Sequence, residues 1–330
     1  MQLSERVQCP SNNSIQNKNG DVFNERPKVL NSSHGDNFVM YHGDSSEVLK
    51  GIPTDSIHHI IYSPPFQSLF TYSNSERDLG NSNNDNQFYD HFMFIAKELY
   101  RVLMPGRIMA VHCMTIPAMK ERDGYIGLKD FRGDLIRLFQ ELSFIWHSEH
   151  IIPKDPLIEA TRTKALGLMH KQLMKDSAMC RAGLPDFLEA FRKPGENPEK
   201  CSRPSGLQEY FGENEPTTGV LSHERFRRWA TTVWSDVRQT RTLNCRMARE
   251  ENDERHICPI SLDVPARTIQ FWTNPGDIVL SPFAGIGSEG YQSILQDRKF
   301  IGIELKESYY NQAVKYLQIA ENRPKQLVFA

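Results

Sequence analysis

The 330-residue chain predicts an α/β fold: a mostly parallel sheet flanked by helices, built in circularly permuted order around a mainly helical insertion. Short continuous apolar runs, Ile57 to Tyr62 and Ile278 to Leu280, are bounded by turn residues, as strands buried on both faces are. Amphipathic helical stretches alternate with such runs, which is βαβ texture. A glycine-rich turn follows the Ile278 to Leu280 run, and only 40 residues remain after Gly290. That is too few to complete a sheet, so the remaining strands must come from the N-terminal part.

Residues 1–36 are rich in Asn, Ser, Asp and Lys without apolar periodicity, and are expected to form a flexible arm. Phe38 to Met40 reads as a strand, followed by His42-Gly43-Asp44 and a short Ser-rich helix. The run Ile57 to Tyr62 ends at Ser63-Pro64-Pro65-Phe66, and Gln67 to Gln87 forms a long polar loop suited to a flap over substrate. Phe88, Phe92, Ile95, Leu99 and Leu103 recur at helical spacing, and Pro105-Gly106 ends that helix before a strand from Ile108 to His112. Leu135, Leu138 and Phe139 mark another helix, and Phe144 to Ile152 reads as a strand pair. From 153 to 255 the regularity fades, as in an inserted recognition region, and α/β texture returns over 256–330. The last strand, Phe300 to Glu304, precedes a helix with Tyr310, Val314, Leu317 and Ala320 on one face.

Lys plus Arg number 39 against 41 Asp plus Glu, a net charge of −2, so any surface for a polyanion must be a local patch. Arg225, Arg227, Arg228, Arg238 and Arg241, interleaved with Phe226, Trp229 and Trp234, make one such patch. Arg162, Lys164, Lys171 and Lys175 extend it or form the outer face of an amphipathic helix. No apolar run of membrane-spanning length and no signal-peptide pattern is present, so a soluble, unsecreted protein is expected. The six scattered cysteines read as reduced thiols, and no metal is expected. His58, His59 and Tyr62 read as packing residues of their strand.

Gly285, Gly287 and Gly290 form G-x-G-x-x-G between a strand and a helix, where backbone can approach a ligand and helix N–H groups point at it. Glu304, ending the next strand, is placed to bond the ribose hydroxyls of an adenosine-containing cofactor. Dinucleotides and S-adenosyl-L-methionine both satisfy this pattern, but no His or Tyr-Lys hydride-transfer site is evident. Ser63-Pro64-Pro65-Phe66 suits chemistry at an exocyclic amino group. Such a nitrogen is a poor nucleophile and must be held by its hydrogens; the Ser63 hydroxyl and Pro64 carbonyl can accept them, the prolines stiffen the backbone, and Phe66 can stack on an extruded base.

On these motifs the chain resembles the permuted β-group of DNA amino-methyltransferases, the N4-cytosine/N6-adenine family. In that family a (Ser/Asp/Asn)-Pro-Pro-(Tyr/Phe) motif comes first, a target-recognition region lies in the middle, and a Phe-x-Gly-x-Gly motif comes late. Ser63 to Phe66 and Phe283 to Gly287 match, and His42-Gly43-Asp44 and His256 to Pro259 match weaker flanking motifs. The run Ser281 to Gly290 further resembles phage and prophage methylases. The resemblance implies a Rossmann-like sheet that binds S-adenosyl-L-methionine through Asp44, Ser63, Phe283, Gly285, Gly287, Ser288 and Glu304. It implies Ser63, Pro64, Pro65 and Phe66 as catalytic residues and DNA as partner, in the cytoplasm of a bacterial or phage-infected cell. One departure is Ser281 where the family commonly has Asp, which removes a carboxylate near the cofactor's amino group. Serine at the head of the catalytic motif points to cytosine N4, with adenine N6 as the alternative. A silent regulator that binds the cofactor and nucleic acid is the alternative of another class. A homodimer and a cognate restriction nuclease stay open.

Overall fold

The computed structural model describes residues 29–65, 85–118, 120–163, 170–209, 221–245, 248 and 259–323. Its strands are β1 (Val29–His34), β2 (Phe38–Gly43), β3 (Ile57–Tyr62), β4 (Leu103–Met114), β5 (Ile116–Ala118), β6 (Gly127–Lys129), β7 (Ile145–Ile152), β8 (Asp186–Arg192), β9 (Ile278–Ser281) and β10 (Lys299–Glu304). Its α-helices are α1 (Ser45–Val48), α2 (Asp85–Val102), α3 (Lys120–Asp123), α4 (Phe131–Glu141), α5 (Pro156–Thr163), α6 (His223–Trp229), α7 (Asp263–Trp272), α8 (Ser288–Leu295) and α9 (Glu307–Glu321).

Eight strands form one sheet in the order β1-β2-β10-β9-β3-β4-β8-β7, and β5 pairs with β6 apart from it. Strands β2, β10, β9, β3 and β4 run parallel, whereas β1, β8 and β7 run antiparallel to their neighbours. All six residues of β2 and of β3 are buried, because helices cover both faces. Phe88, Phe92 and Leu99 of α2 and Leu135 and Phe139 of α4 pack on one face. Ile269 of α7, Tyr291 and Ile294 of α8 and Leu317 of α9 pack on the other.

The crossover through α8 leaves β9 towards β10, and the crossover through α2 leaves β3 towards β4. The chain therefore diverges in opposite directions from the β9–β3 boundary, where an open α/β sheet opens a ligand crevice at its strands' carboxyl ends. The two motifs singled out above leave β3 and β9 on this edge. The permuted α/β sheet is thus the fold that the sequence implied.

Several local expectations are corrected. Val29–His34, assigned to the flexible arm, is an edge strand on β2 with a register shift at Val29/Asn31; its polar, half-exposed pattern hides it from a periodicity reading. Phe144 to Ile152 holds one strand, not a pair, and its partner β8 lies inside the stretch read as insertion. Strand β4 begins at Leu103 and runs through Pro105-Gly106, where the ladder with β3 shifts register and Gly106 takes φ +72°. The described part of 153–255 outside β8 carries α5, α6 and short 3-10 turns and is otherwise irregular, less helical than expected. Residues 67–84 of the expected flap lie outside the described residues.

Candidate active site

The turn after β9 is built from backbone. Gly285 and Gly287 take φ of +52° and +88°, a region that side chains rarely enter. A Cβ at Gly285 would meet nothing within 4 Å, so the chain there borders open space, whereas one at Gly287 would lie 3.2 Å from Ala313 Cβ. Gly290, in contrast, serves packing: its Cβ would fall 2.4 Å from the Phe300 ring. Gly287 caps α8 with no side-chain bond, and Ser288 opens the first turn, so no side chain at the cap position occupies the start of the helix.

Glu304 closes the neighbouring strand. Its Oε2 accepts from the Gly285 N–H at 2.8 Å and its Oε1 from the Lys306 N–H at 2.8 Å. The carboxylate therefore sets the glycine turn's position from the end of the neighbouring strand. Asp44, at the end of β2, caps α1 by accepting from the Ser46 N–H and hydroxyl. Ser45 beside it donates to the Pro282 carbonyl and ties β2 to the β9 turn.

At the end of β3, the Ser63 hydroxyl lies 2.8 Å from His112 Nδ1. Pro64 is buried and Pro65 half-buried, while Phe66 lies outside the described residues. Phe283 joins the two motifs: its ring centroid is 5.7 Å from that of Tyr62 and 6.4 Å from that of Phe92. Tyr62 packs in the core as expected, although its buried hydroxyl has no partner among the described residues. Burial pushes the Tyr62 phenol well above its usual range, so it stays protonated.

His59 donates from Nδ1 to the Ile108 carbonyl at 2.7 Å, and burial lowers its pKa to about 4. His58 accepts the Ile278 N–H at Nδ1, which leaves Nε2 with the proton to donate to Glu199 at 3.0 Å. Asp277 completes this group and already accepts from Arg107 and the Asn274 N–H. His58 Nε2 thus bonds Glu199 and lies 3.7 Å from Asp277, and the three groups cluster at the amino end of β3. Glu289, in the first turn of α8, is lifted to about 8 by burial, with the like charge of Glu304 adding to the shift.

The arginine patch is largely closed on itself. Arg228 pairs with Asp236, and Arg238 and Arg241 both pair with Asp263 from α7. Arg225 lies over the Trp229 ring at 5.4 Å. Arg227 is exposed and meets no carboxylate among the described residues. Arg246, Arg249, His256 and Cys258 fall outside the described residues. Asp263 lies more than 20 residues along the sequence from both Arg238 and Arg241 and is brought to them by the fold.

Sequence reasoning also missed three residues around Ser63. His112 ends the apolar core of β4 on the carboxyl edge, a position that by itself signals function. Asp186 and Lys154 carry no local signal, because β8 was hidden in the presumed insertion.

The model of the DNA methylase family matches residues 57–315. The chain belongs to that family. It is 26% identical over 292 residues to the Type II methyltransferase M.Cfr9I of Citrobacter freundii, covering 85% of this chain and 87% of the relative. The fold superposes on TTHA0409 of Thermus thermophilus, solved with S-adenosyl-L-methionine, at TM-score 0.58 and 20% identity over 86% of this chain and 95% of the other. It superposes on the cytosine-N4-specific PvuII DNA methyltransferase at TM-score 0.56 and 20% identity, covering 88% and 89%.

The protein is an S-adenosyl-L-methionine-dependent DNA methyltransferase acting on amino nitrogens, cytosine N4 or adenine N6, and the silent regulator falls away. The residues present fit the cofactor: open space at Gly285, an α8 start that no side chain caps, and a Glu304 carboxylate anchored to the glycine turn at the end of the neighbouring strand. Among the described residues no helix is long and apolar enough to cross a membrane.

Proposed function

We propose that this enzyme methylates cytosine at N4 in a base turned out of the DNA helix into the β9–β3 crevice, with adenine N6 as the competing product. The observation that carries the reading is the Ser63 hydroxyl at the carboxyl edge, 2.8 Å from His112 and next to the glycine turn. When bound, S-adenosyl-L-methionine supplies an electrophilic methyl group. Gly285, Gly287 and Ser288 would hold its methionine part, Glu304 its ribose, and Phe283 the wall between cofactor and base, with Asp44 near the adenine.

Ser63 and the Pro64 carbonyl would accept the two amine hydrogens and turn the nitrogen lone pair towards the methyl group. Holding the amine in line converts a collision into an intramolecular approach, the largest gain open to a site without a covalent nucleophile. Phe66 would stack on the base. The Type II name of the Citrobacter relative supports methylation at one recognition sequence, and the name of the PvuII enzyme supports cytosine N4. Residues 153–255 outside β8 would read that sequence, with Arg227 the arginine best placed to touch phosphate, ahead of Arg225, Arg228, Arg238 and Arg241.

Expression in a methylation-free bacterial host, followed by nucleoside mass spectrometry of digested DNA, tests this. N4-methylcytosine is expected. N6-methyladenine in its place would refute the choice of base while keeping the site.

A further inference from the structure

We propose that His112, oriented by Asp186, is the positioning residue behind Ser63 that takes the proton shed by the methylated amine. The inference rests on the amino-methylation reading above.

Strands β3 and β4 set the geometry. Tyr62 is paired with Val111 in their parallel ladder, so Ser63 and His112 lie side by side at the carboxyl end of β3. Strand β8 runs antiparallel to β4 with Met114 opposite Asp186, which returns a carboxylate to the same edge. Asp186 Oδ2 lies 3.4 Å from His112 Nε2, and its Oδ1 pairs with Lys154. Burial pushes the Asp186 carboxyl up, but His112 and Lys154 outweigh it and hold it below the usual carboxylate value. A charged Asp186 favours the tautomer with the proton on Nε2, and Nδ1 is then a lone pair that accepts the Ser63 O–H. That direction matters: Ser63, donating to His112, keeps its own oxygen lone pairs for the amine hydrogens. The side chains of His112 and Asp186 are 12% and 11% exposed, so bulk water is not the ready proton acceptor here. Further groups in this neighbourhood, Glu189, Arg132 and Glu149, act on the buried Cys113 thiol next to His112.

The step balances. The amine nitrogen forms its bond to the methyl carbon as the carbon–sulfur bond breaks, and that electron pair stays on sulfur as a neutral thioether. The nitrogen then carries a positive charge, passes one proton to Ser63 Oγ as the Ser63 proton moves to His112 Nδ1, and becomes neutral. The imidazolium faces Asp186 and returns its proton to solvent once the DNA leaves.

The test compares wild type, H112Q, D186N and E189Q in steady-state methylation of duplex DNA across pH, with SAM affinity by calorimetry and histidine side-chain 15N spectra. H112Q is expected to lower kcat by about 100-fold, the range of general acid–base catalysis, with SAM affinity within about twofold of wild type. The wild-type rate should fall towards acid, as a protonated imidazole stops accepting from Ser63, and H112Q should lack that limb. E189Q should keep it, although Glu189 titrates near 7 through burial. D186N should cost about tenfold and move the imidazole away from the Nε2–H form expected of wild type.

H112Q with kcat within about threefold of wild type and an unchanged acid limb would overturn the proposal. If H112Q does not fold, an Nδ1-protonated His112 in the wild-type spectrum would overturn it. A wild type that methylates no DNA would break the amino-methylation reading and with it the proposal, whereas active wild type with indifferent variants breaks the proposal alone.

Discussion

At the carboxyl edge of β9 and β3 the structure leaves polar groups open, whereas in the segment 222–243 it closes them in pairs. Gly285 borders empty space, α8 starts without a side-chain cap, and Glu304 holds the turn from the end of the neighbouring strand. Of the arginines, by contrast, Arg228 pairs with Asp236 and Arg238 and Arg241 with Asp263, which leaves Arg227 as the exception. Asp263 is only 7% exposed while Arg238 and Arg241 are 65% and 41% exposed, so the pairs hang surface cations on a buried carboxylate. Open donors at a strand end mark a place where a ligand completes the structure, and a cluster of like charges in sequence marks nothing until its partners are known.

The largest effect expected is at the open edge. Ser63→Ala removes both the amine acceptor and the link to His112, and should lower kcat by about 100- to 1,000-fold in steady-state methylation, with SAM affinity retained. A loss confined to KM would move Ser63 from chemistry to binding.

Next comes the closed region. Burial raises the Asp263 carboxyl, but the side-chain and backbone bonds from Arg238 and the bond from Arg241 outweigh it and hold the pKa at about 2. A carboxyl depressed in the folded state adds stability above its unfolded value near 4 and loses it as pH falls towards 2. Asp263→Asn should therefore lower Tm at pH 7, by about 1 to 2 kcal/mol of stability after allowance for the exposed arginines, and flatten the pH dependence between about 5 and 2. Parallel Tm–pH curves for both proteins would show that the pairs are energetically idle.

The smallest effect separates two arginines. Arg227→Ala should weaken DNA binding and reduce the salt slope by about one, while Arg238→Ala, already neutralised, should leave the slope within error. Equal slopes for both variants would place the phosphate contacts elsewhere.

What the sequence disclosed follows from burial. Strands β3, β9 and β10 and helices α2 and α9 were legible, because a parallel sheet covered on both faces writes unbroken apolar runs and a helix writes a 3.6 period. Strand β8 was not: Asp186 and Glu189 interrupt DFLEAFR, yet Glu189 is fully buried, satisfied by Arg132 at 2.8 Å and the Trp146 N–H at 2.8 Å. Charge that is paired across strands looks like loop in one dimension. Ser63, Gly285, Gly287 and Glu304 were legible because their spacing is local to strand ends. His112 and Asp186 meet across 74 residues, and no pattern along the chain joins them.

The division of labour between the two strand ends is the central claim, and SAM calorimetry on Gly287→Asp beside Ser63→Ala tests it most directly. At φ +88° and against Ala313, an aspartate at 287 cannot hold the turn. The predicted result is no measurable SAM binding for Gly287→Asp and wild-type affinity for Ser63→Ala, whereas equal loss in both, or none in either, would contradict it.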